Sequence, residues 1–241
     1  MSAPAGQRGY RGRGYTLLTP DNQYVSRLPS LPGARLVKLV TPRLRPARFS
    51  QYLIDAAETG SSMELDKTME HFAYGLAGQG DLAGFSLAEE GYAYLPAGRG
   101  GRLQLTEGAR VLLLSRPYEA WTGLEPPDAC GGHARAITAD KTVVEGLWRR
   151  ELIDPLNPAF DFNMSLMSFD PGVSLHQIEI HDEEHGLYMT RGGGDYRLDS
   201  DTHPVSAGDF IYMAPYCPQS FGAGPSGGEY LLYKDVYRTG F

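Results

Sequence analysis

The 241-residue sequence predicts an all-β fold made of two similar halves, each a β-sandwich or barrel. Its apolar runs are short, and 30 glycines and 17 prolines separate them into segments of strand length. Similar motifs also recur in the two halves of the chain, which is typical of a duplicated fold. Short strands of this kind bury their apolar faces by packing sheet on sheet or by closing into a barrel.

Four apolar runs are the clearest predicted strands. They lie at residues 111–115, 163–169, 210–214 and 230–233, and turn-forming residues bound each of them. Helical periodicity is weak and short, and it centres on residues 141–150. We expect that stretch to link the two halves.

The internal repeat consists of motifs that occur in the same order in both halves. Tyr74-x-x-x-Gly78 matches Tyr188-x-x-x-Gly192, and a Gly…Tyr…Pro motif occurs at 91–96 and again at 208–215. The interval between matching residues grows from 114 for the tyrosines to 119 for the prolines, as small loop insertions would produce. The expected boundaries are a flexible tail at 1–14, a first barrel at 15–140, a linker at 141–158 and a second barrel at 159–241.

The composition argues against nucleic-acid and membrane partners. The net charge is −7 and no basic run follows the N-terminus, whereas nucleic acid selects for a positive surface. No apolar run approaches the roughly 20 residues of a membrane helix. Three Arg-Gly pairs between residues 8 and 14 could contact RNA. No aromatic platform accompanies them, so a flexible tail is the preferred interpretation.

The two cysteines and the N-terminus bear on the cellular compartment. Cys130 and Cys217 are too few for a disulfide framework and are interpreted as reduced thiols. The first 14 residues are rich in Gly, Arg and Pro and lack the apolar segment of a secretory signal. We therefore expect a cytoplasmic protein.

Glu179, His181 and His185 are the strongest candidate for a functional site, a divalent-metal centre. Residues two apart on a strand point to the same side, so Glu179 and His181 share a face while Ile178 and Ile180 point away. The polar turn that follows can return His185 beside them. Two imidazoles and one carboxylate suit a transition ion such as iron or manganese. On an open sheet the same residues would form a solvated face, whereas in a barrel they would line a polar pocket.

The segment around these residues resembles the first cupin motif, in which glycines flank two ligands on a strand and a third after a turn. The residues that hold those places are Gly172, Glu179, His181, His185 and Gly192. The second cupin motif, a glycine, a proline and a further ligand, resembles Gly208, Pro215 and Gln219. The resemblance implies an all-β chain of two tandem cupin barrels with jelly-roll topology.

The residues that depart from the common cupin pattern are similar to those of one bicupin family. Glu179 and Gln219 stand where histidines are usual, and His185 stands where a glutamate is usual. Together with Lys234 near the C-terminus, these residues resemble the (S)-ureidoglycine aminohydrolases of allantoin (purine) degradation. The resemblance covers residues 15–238 and is strongest from residue 162 onward.

This resemblance implies a metal-dependent hydrolase with defined site residues. The metal, Mn²⁺ with Fe²⁺, Zn²⁺ or Ni²⁺ as alternatives, would be held by Glu179, His181, His185 and Gln219. A small ureido carboxylate would be contacted by Glu179, Tyr196, Gln219, Tyr230 and Lys234, of which Glu179 and Lys234 would be catalytic. Lys234 can pair with the carboxylate, and tyrosine hydroxyls can bind the ureido group. Tyr196 is equally compatible with an ordinary barrel aromatic.

The expected reaction is hydrolysis of (S)-ureidoglycine to (S)-ureidoglycolate and ammonia. Two alternatives stay open. Another metal-dependent cupin enzyme, such as a dioxygenase, would use the same ligands to bind O₂. A non-catalytic cupin would bind a small molecule without reaction. Gln219 as a fourth ligand favours hydrolysis, because redox chemistry usually leaves positions on the metal open.

The first half is expected to form a barrel without a metal. His71 stands on the matching strand but has no partner in the right place, and Ser115 takes the place of Lys234. Glu70 and His71 are therefore interpreted as structural or edge residues. The expected role of this barrel is packing and assembly into a homo-oligomer.

Overall fold

The computed structural model describes residues 8–56, 58–236 and 238. Within these ranges it contains strands and two short 3₁₀ helices, Pro20–Asn22 and Ala134–Ala136, and no α-helix, so the all-β prediction is confirmed. The first ten strands are β1 (Tyr10–Arg11), β2 (Tyr15–Leu18), β3 (Val25–Ser26), β4 (Arg35–Val40), β5 (Ser50–Ala56), β6 (Ser61–Leu65), β7 (Met69–Ala77), β8 (Gly80–Leu82), β9 (Phe85–Ser86) and β10 (Gly91–Leu95). The remaining strands are β11 (Gly101–Leu105), β12 (Ala109–Pro117), β13 (Cys130–His133), β14 (Asp140–Lys141), β15 (Leu147–Glu151), β16 (Phe162–Phe169), β17 (His185–Leu198), β18 (Asp201–Ser206), β19 (Phe210–Met213) and β20 (Gln219–Asp235).

The chain divides into two compact units. The first unit comprises Tyr24–Ile137 and Leu156–Asp161. The second unit comprises residues 8–23, Thr138–Pro155 and the described residues from Phe162 onward. None of the described helices is long and apolar enough to cross a membrane.

The main sheets of the two units have the same strand order. The first unit runs β13-β10-β7-β12-β5-β4-β3, with a second sheet β6-β11-β8-β9. In the second unit the order is β2-β19-β17-β20-β16-β15-β14, extended by β1 and with β18 beside β17. Each strand of the main sheet in the first unit has a counterpart at the same place in the second. The structure therefore contains the internal duplication that the repeated motifs indicated.

The repeated glycines have a structural reason. Gly78 and Gly192 have positive φ angles of 66° and 61°, a conformation that costs little only for glycine. A Cβ atom at Gly78 would lie 2.6 Å from the backbone of the facing strand, and one at Gly192 would lie 2.2 Å from it. Both positions therefore require glycine, Gly78 directly after the end of β7 and Gly192 within β17 at a register shift against β20.

Each unit has its own apolar core. In the first unit the core is built from β4, β5, β11 and β12, with Leu36, Ile54, Leu103 and Val111 among its members. In the second unit it is built from β17, β19 and β20, with Leu187, Met189, Ile211 and Phe221 among its members. Alternate residues of each strand face the core, as the period of a half-buried strand requires.

The expected flexible tail at 1–14 is wrong for the residues that the structure describes. Residues 1–7 lie outside them, but β1 pairs with β2, setting Tyr10 opposite Leu17. The Arg8 guanidinium donates to both carboxylate oxygens of Asp209, at 2.6 and 2.9 Å. Because Asp209 is fully buried, this charged contact ties the segment to the second unit.

The expected boundaries, a first barrel from residue 15 and a linker at 141–158, differ from those of the two units in the structure. Residues 15–23 belong to the second unit, because β2 pairs with β19 and Leu17 is buried in that unit's core. Residues 141–158 are not a separate linker or a helix, since β15 pairs with β16 and sets Leu147 opposite Phe169. Arg149 and Glu151, two residues apart, form an ion pair on one side of the chain, as residues of a strand do.

Candidate metal centre

The segment with Glu179 and His181 lies along β20 as irregular extended chain. It contacts β20 through two isolated antiparallel bridges, Ser174 with Gly222 and Glu179 with Gln219. The Glu179 N–H donates to the Gln219 carbonyl at 2.9 Å, and the Gln219 N–H donates back at 3.0 Å. The regular strand expected here is not formed, but the backbone holds two of the predicted ligands side by side.

His181 lies at the centre of the site. Its carbonyl accepts a 2.7 Å hydrogen bond from the N–H of Tyr216, which fixes the backbone. The His181 and His185 rings are 4.6 Å apart between centroids. His181 Nε2 lies 3.4 Å from Gln219 Nε2. The His181 imidazole therefore lies beside two other predicted ligands, His185 and Gln219.

His185 begins β17, directly opposite Lys234 on β20. It is only 3% exposed. Burial, assisted by the positive charges of His181 and Lys234, holds the pKa of His185 well below its usual value. The imidazole is therefore neutral at neutral pH, which is the form that binds a metal.

Tyr196 is both a core aromatic and a partner of Gln219. It is 2% exposed and packs beside Phe221 and Tyr230. Its hydroxyl donates a 3.1 Å hydrogen bond to Gln219 Oε1. The structural and the functional interpretation of Tyr196 are thus compatible, because the same buried ring orients a candidate ligand.

Tyr230 is buried beside Tyr196, and its hydroxyl is available for hydrogen bonding. The hydroxyl has no hydrogen-bond partner among the described residues. Burial, with the negative charge of Glu179, raises the pKa of Tyr230. The Glu179 charge also contributes to the raised pKa of Tyr196, after burial and Tyr230.

Lys234 follows Tyr230 by four residues on an unbroken stretch of β20, so their side chains leave the same face. Its Nζ lies 3.0 Å from Glu183 Oε1, and the side chain is 35% exposed. Sequence reasoning expected the anion beside Lys234 to be the substrate, and it missed Glu183. Burial raises the pKa of Glu183, but the hydrogen bond from Lys234, a backbone hydrogen bond and the charges of Lys234 and His181 together outweigh it, so the net pKa is lowered.

The candidate ligands fit a divalent ion in chemistry, though not yet in side-chain orientation. Among the described residues, no three His, Cys, Asp or Glu side chains stand close enough together to hold a metal ion as they are. Two imidazoles, a carboxylate and an amide oxygen are nevertheless donors that transition ions accept. Ligation requires the Gln219 amide to turn over, so that its Oε1 replaces Nε2 beside His181.

In the first unit, His71 and Ser115 occupy the positions of His185 and Lys234. They are opposite each other on β7 and β12. His71 Nδ1 lies 2.8 Å from Ser115 Oγ, and Nε2 lies 3.0 Å from the carbonyl of Asp66. Burial lowers the pKa of His71. Both ring nitrogens have protein partners, so the structure supports a structural role for His71.

Glu70 is structural, and the alternative that it is an edge residue is wrong. It is completely buried, accepts a 2.8 Å hydrogen bond from the Tyr94 hydroxyl and lies 3.5 Å from Arg116 Nε. Burial and the neighbouring Asp161 carboxyl raise the pKa of Glu70 to about 10. Tyr212 and Glu184 form the same hydrogen bond in the second unit, at 3.1 Å.

Comparison with known proteins places the chain in a family, although no protein-family model matches it. The chain is 34% identical to an (S)-ureidoglycine aminohydrolase of Arabidopsis thaliana over 98% of its own length and 80% of the relative's. It is 32% identical to an (S)-ureidoglycine aminohydrolase of Escherichia coli strain K12, over 93% of this chain and 89% of the relative.

Solved structures agree on the fold. Protein Ylba from E. coli matches with a TM-score of 0.84 and 29% identity, over 98% of this chain and 97% of that chain. A Bacillus subtilis oxalate decarboxylase with Mn(II) centres matches with a TM-score of 0.68 over 98% of this chain and 81% of that chain, at 13% identity, which bears on the fold alone.

The fold and the site together define a protein of two tandem cupin barrels, and the expected fold class is confirmed. The relatives that match over nearly the whole length of this chain identify one family within that class. The chain belongs to the (S)-ureidoglycine aminohydrolase family.

Proposed function

We propose that this chain hydrolyses (S)-ureidoglycine to (S)-ureidoglycolate and ammonia, as a step of allantoin degradation, at a divalent-metal centre in its second unit. The observation that carries the proposal is the meeting of His181, His185 and Gln219 next to Lys234. Donors suited to a metal and a cation suited to a carboxylate are thereby neighbours in the second unit. Family membership supports ureidoglycine as the substrate.

The substrate has a carboxylate, an amino group and a ureido group on one carbon. In the reaction, water adds to that carbon and the bond to the amino nitrogen breaks. The hydroxyl stays on carbon, and the remaining proton of water leaves with the ammonia. Lys234 pairs with the carboxylate as a point charge, and the free Tyr230 hydroxyl bonds to the ureido group. Glu179 carries the proton to the departing amine.

Manganese is the proposed ion, with Fe²⁺, Zn²⁺ and Ni²⁺ as alternatives. Glu179, His181, His185 and Gln219 would hold it. When bound, a divalent ion supplies Lewis-acid polarisation and a template for the substrate. The mixed nitrogen and oxygen donors support this assignment, and a protein of the same fold contains Mn(II) centres.

The proposal is tested with fresh ureidoglycine and manganese-loaded protein, by following ammonia release. A reaction without protein is essential, because an aminal of this kind also decomposes by itself. His181→Ala should abolish the enzymatic rate and the bound metal, whereas His176→Ala, which changes an exposed histidine of the same segment, should alter neither. Retention of both metal and activity in His181→Ala would contradict the proposal.

The same assay separates the two alternatives. Oxygen uptake that depends on the loaded metal, without ammonia release, would indicate a dioxygenase. Tight ligand binding with no turnover and no bound metal would indicate a binding protein. Neither outcome is expected for a site in which Gln219 adds a fourth donor.

We also propose that the protein acts in the cytoplasm as a homo-oligomer. Cys130 and Cys217 are both free, which supports a reducing compartment. The first barrel's His71 is occupied by internal hydrogen bonds, which supports packing and assembly rather than chemistry for this unit. Light scattering on the purified protein measures the assembly directly.

A further inference from the structure

We propose that Glu183 is a positioning residue that joins the metal centre to the carboxylate-binding lysine. One oxygen of its carboxylate lies 3.1 Å from His181 Nδ1, and the other lies 3.0 Å from Lys234 Nζ. The inference rests on the proposed function, because only there do His181 and Lys234 act as metal ligand and substrate contact. Glu183 itself is neither a proposed ligand nor a proposed substrate contact.

The two contacts of Glu183 use different oxygen atoms, so one carboxylate serves both partners. All three side chains are partly shielded, with 23% of Glu183, 26% of His181 and 35% of Lys234 exposed. The contact with Lys234 lies at hydrogen-bond distance. The contact with His181 is an ion-pair distance whose direction falls short of a hydrogen bond, since Nδ1 has no hydrogen-bond partner. A turn of the ring brings the Nδ1–H into line with the carboxylate.

A carboxylate at Nδ1 determines which nitrogen of His181 can bind a metal. It favours the tautomer with the proton on Nδ1, which leaves the lone pair on Nε2. Nε2 is the nitrogen that faces Gln219, at 3.4 Å. Metal-binding histidines commonly have such an outer carboxylate, and its loss typically weakens metal affinity about 10- to 100-fold.

The second contact holds Lys234 in place before substrate arrives. Lys234 stands opposite His185 at the end of β20, and its long side chain has many rotamers to lose on binding. Glu183 restricts them and keeps the ammonium group beside the metal ligands. Removing Glu183 is therefore expected to raise KM for the carboxylate substrate more than it lowers kcat.

The acidic turn offers a matched control for this inference. Asp182 is the neighbouring carboxylate in the same turn, but it is exposed and has no hydrogen bond or ion pair within the described part of the chain. Glu183→Ala removes both contacts. Glu183→Gln keeps an acceptor oxygen and loses the charge, so it should restore part of what Glu183→Ala loses. Asp182→Ala changes the net charge by the same amount as Glu183→Ala and should leave the site intact.

The test is titration of each full-length variant with Mn²⁺, read from the electron paramagnetic resonance signal of the free ion. We expect Glu183→Ala to raise the Kd for Mn²⁺ about 10- to 100-fold, with Glu183→Gln in between and Asp182→Ala within about twofold of the wild type. At saturating Mn²⁺, the KM for ureidoglycine should rise at least about fivefold in Glu183→Ala while kcat changes by less than about threefold.

The outcomes separate the inference from the function on which it rests. If the wild-type protein binds Mn²⁺ and Glu183→Ala has the same Kd and KM, Glu183 is not a positioning residue and the proposed function stands. Equal losses in Glu183→Ala and Asp182→Ala would also overturn the inference, because they would reflect net charge alone. If the wild-type protein itself binds no Mn²⁺, Fe²⁺, Zn²⁺ or Ni²⁺, the proposed metal centre fails and the inference fails with it.

Discussion

His185 and Lys234 stand directly opposite each other across the paired strands β17 and β20. A proposed metal ligand and a proposed carboxylate-binding side chain are thus set against one another by backbone register, which is more rigid than a loop. A shift of one residue in the register of either strand would send its side chain to the opposite face of the sheet, away from the other. The spacing between the two proposed functions is therefore a property of the barrel itself.

Lys234 is expected to determine substrate affinity. Lys234→Met keeps most of the apolar length but removes the charge that pairs with the substrate carboxylate. Loss of a charge-assisted hydrogen bond costs about 1.5–3 kcal/mol, so kcat/KM should fall about 10- to 150-fold, mainly through KM. Ammonia release measured against ureidoglycine concentration checks this. Lys141→Met, which changes an exposed lysine of β14, is the control, and an unchanged KM in Lys234→Met would contradict the assignment.

The two buried tyrosines are expected to differ in their effects. The Tyr196 hydroxyl donates to Gln219 Oε1 in the structure and can accept from Nε2 once the amide turns over. Tyr196→Phe removes this partner and should weaken Mn²⁺ binding. Tyr230→Phe removes a hydroxyl with no protein partner among the described residues and should raise KM with no change in metal affinity. Metal titration and steady-state kinetics on both variants give the comparison. Identical profiles for the two would show that the tyrosines do not have separate roles.

Arg8 is expected to stabilise the second unit. Arg8→Ala leaves the buried Asp209 carboxylate without its cation, which should cost about 1–3 kcal/mol. In a Trp121→Phe background, Trp148 is the only tryptophan, and it lies on β15 of the second unit, so its fluorescence reports urea unfolding there. Arg13→Ala changes an exposed arginine of the same segment and should cost little. Equal stability of the two variants would restore the interpretation of this segment as a free tail.

Glu70 is expected to make the first unit less stable as the pH rises. Its pKa is raised to about 10 by burial and by Asp161, so folding keeps a proton that the unfolded chain releases above its ordinary pKa of 4.5. The stabilisation is complete below about pH 4.5 and is lost as the pH rises toward 10. Glu70→Gln cannot ionise, so its stability should fall less than that of the wild type between pH 6 and 9, by no more than about 1.4 kcal/mol per pH unit.

Urea unfolding followed by circular dichroism at several pH values measures this difference. Glu107→Gln, which changes an exposed glutamate of the first unit, should follow the wild type. Parallel pH profiles for the wild type and Glu70→Gln would show that Glu70 is ionised in the folded protein.

Local features of this protein could be predicted from the sequence because their causes are local. The strand at 163–169 falls within β16, and the repeated glycines Gly78 and Gly192 both have positive φ angles. His181 and His185 lie close together in sequence, so the contact between their rings could be inferred from spacing. The family followed from the few residues in which this site departs from the common motif.

Features that depend on distant parts of the chain could not be predicted. No local pattern shows that β2 completes the sheet of the second unit, about 190 residues away, because strand pairing over such distances leaves no mark on either segment. Glu70 reads as an exposed acid until its partners Tyr94 and Arg116 are known. Glu183 was missed because a run of three acidic residues is usually a solvated turn.

The most direct test of the central claim is chiral analysis of the product formed from fresh ureidoglycine by the manganese-loaded protein. The enzyme should release one ammonia for each ureidoglycolate and give the (S)-enantiomer in clear excess over the reaction without protein. A racemic product formed at the rate of spontaneous decomposition, by protein shown to contain the metal, would contradict the proposed function.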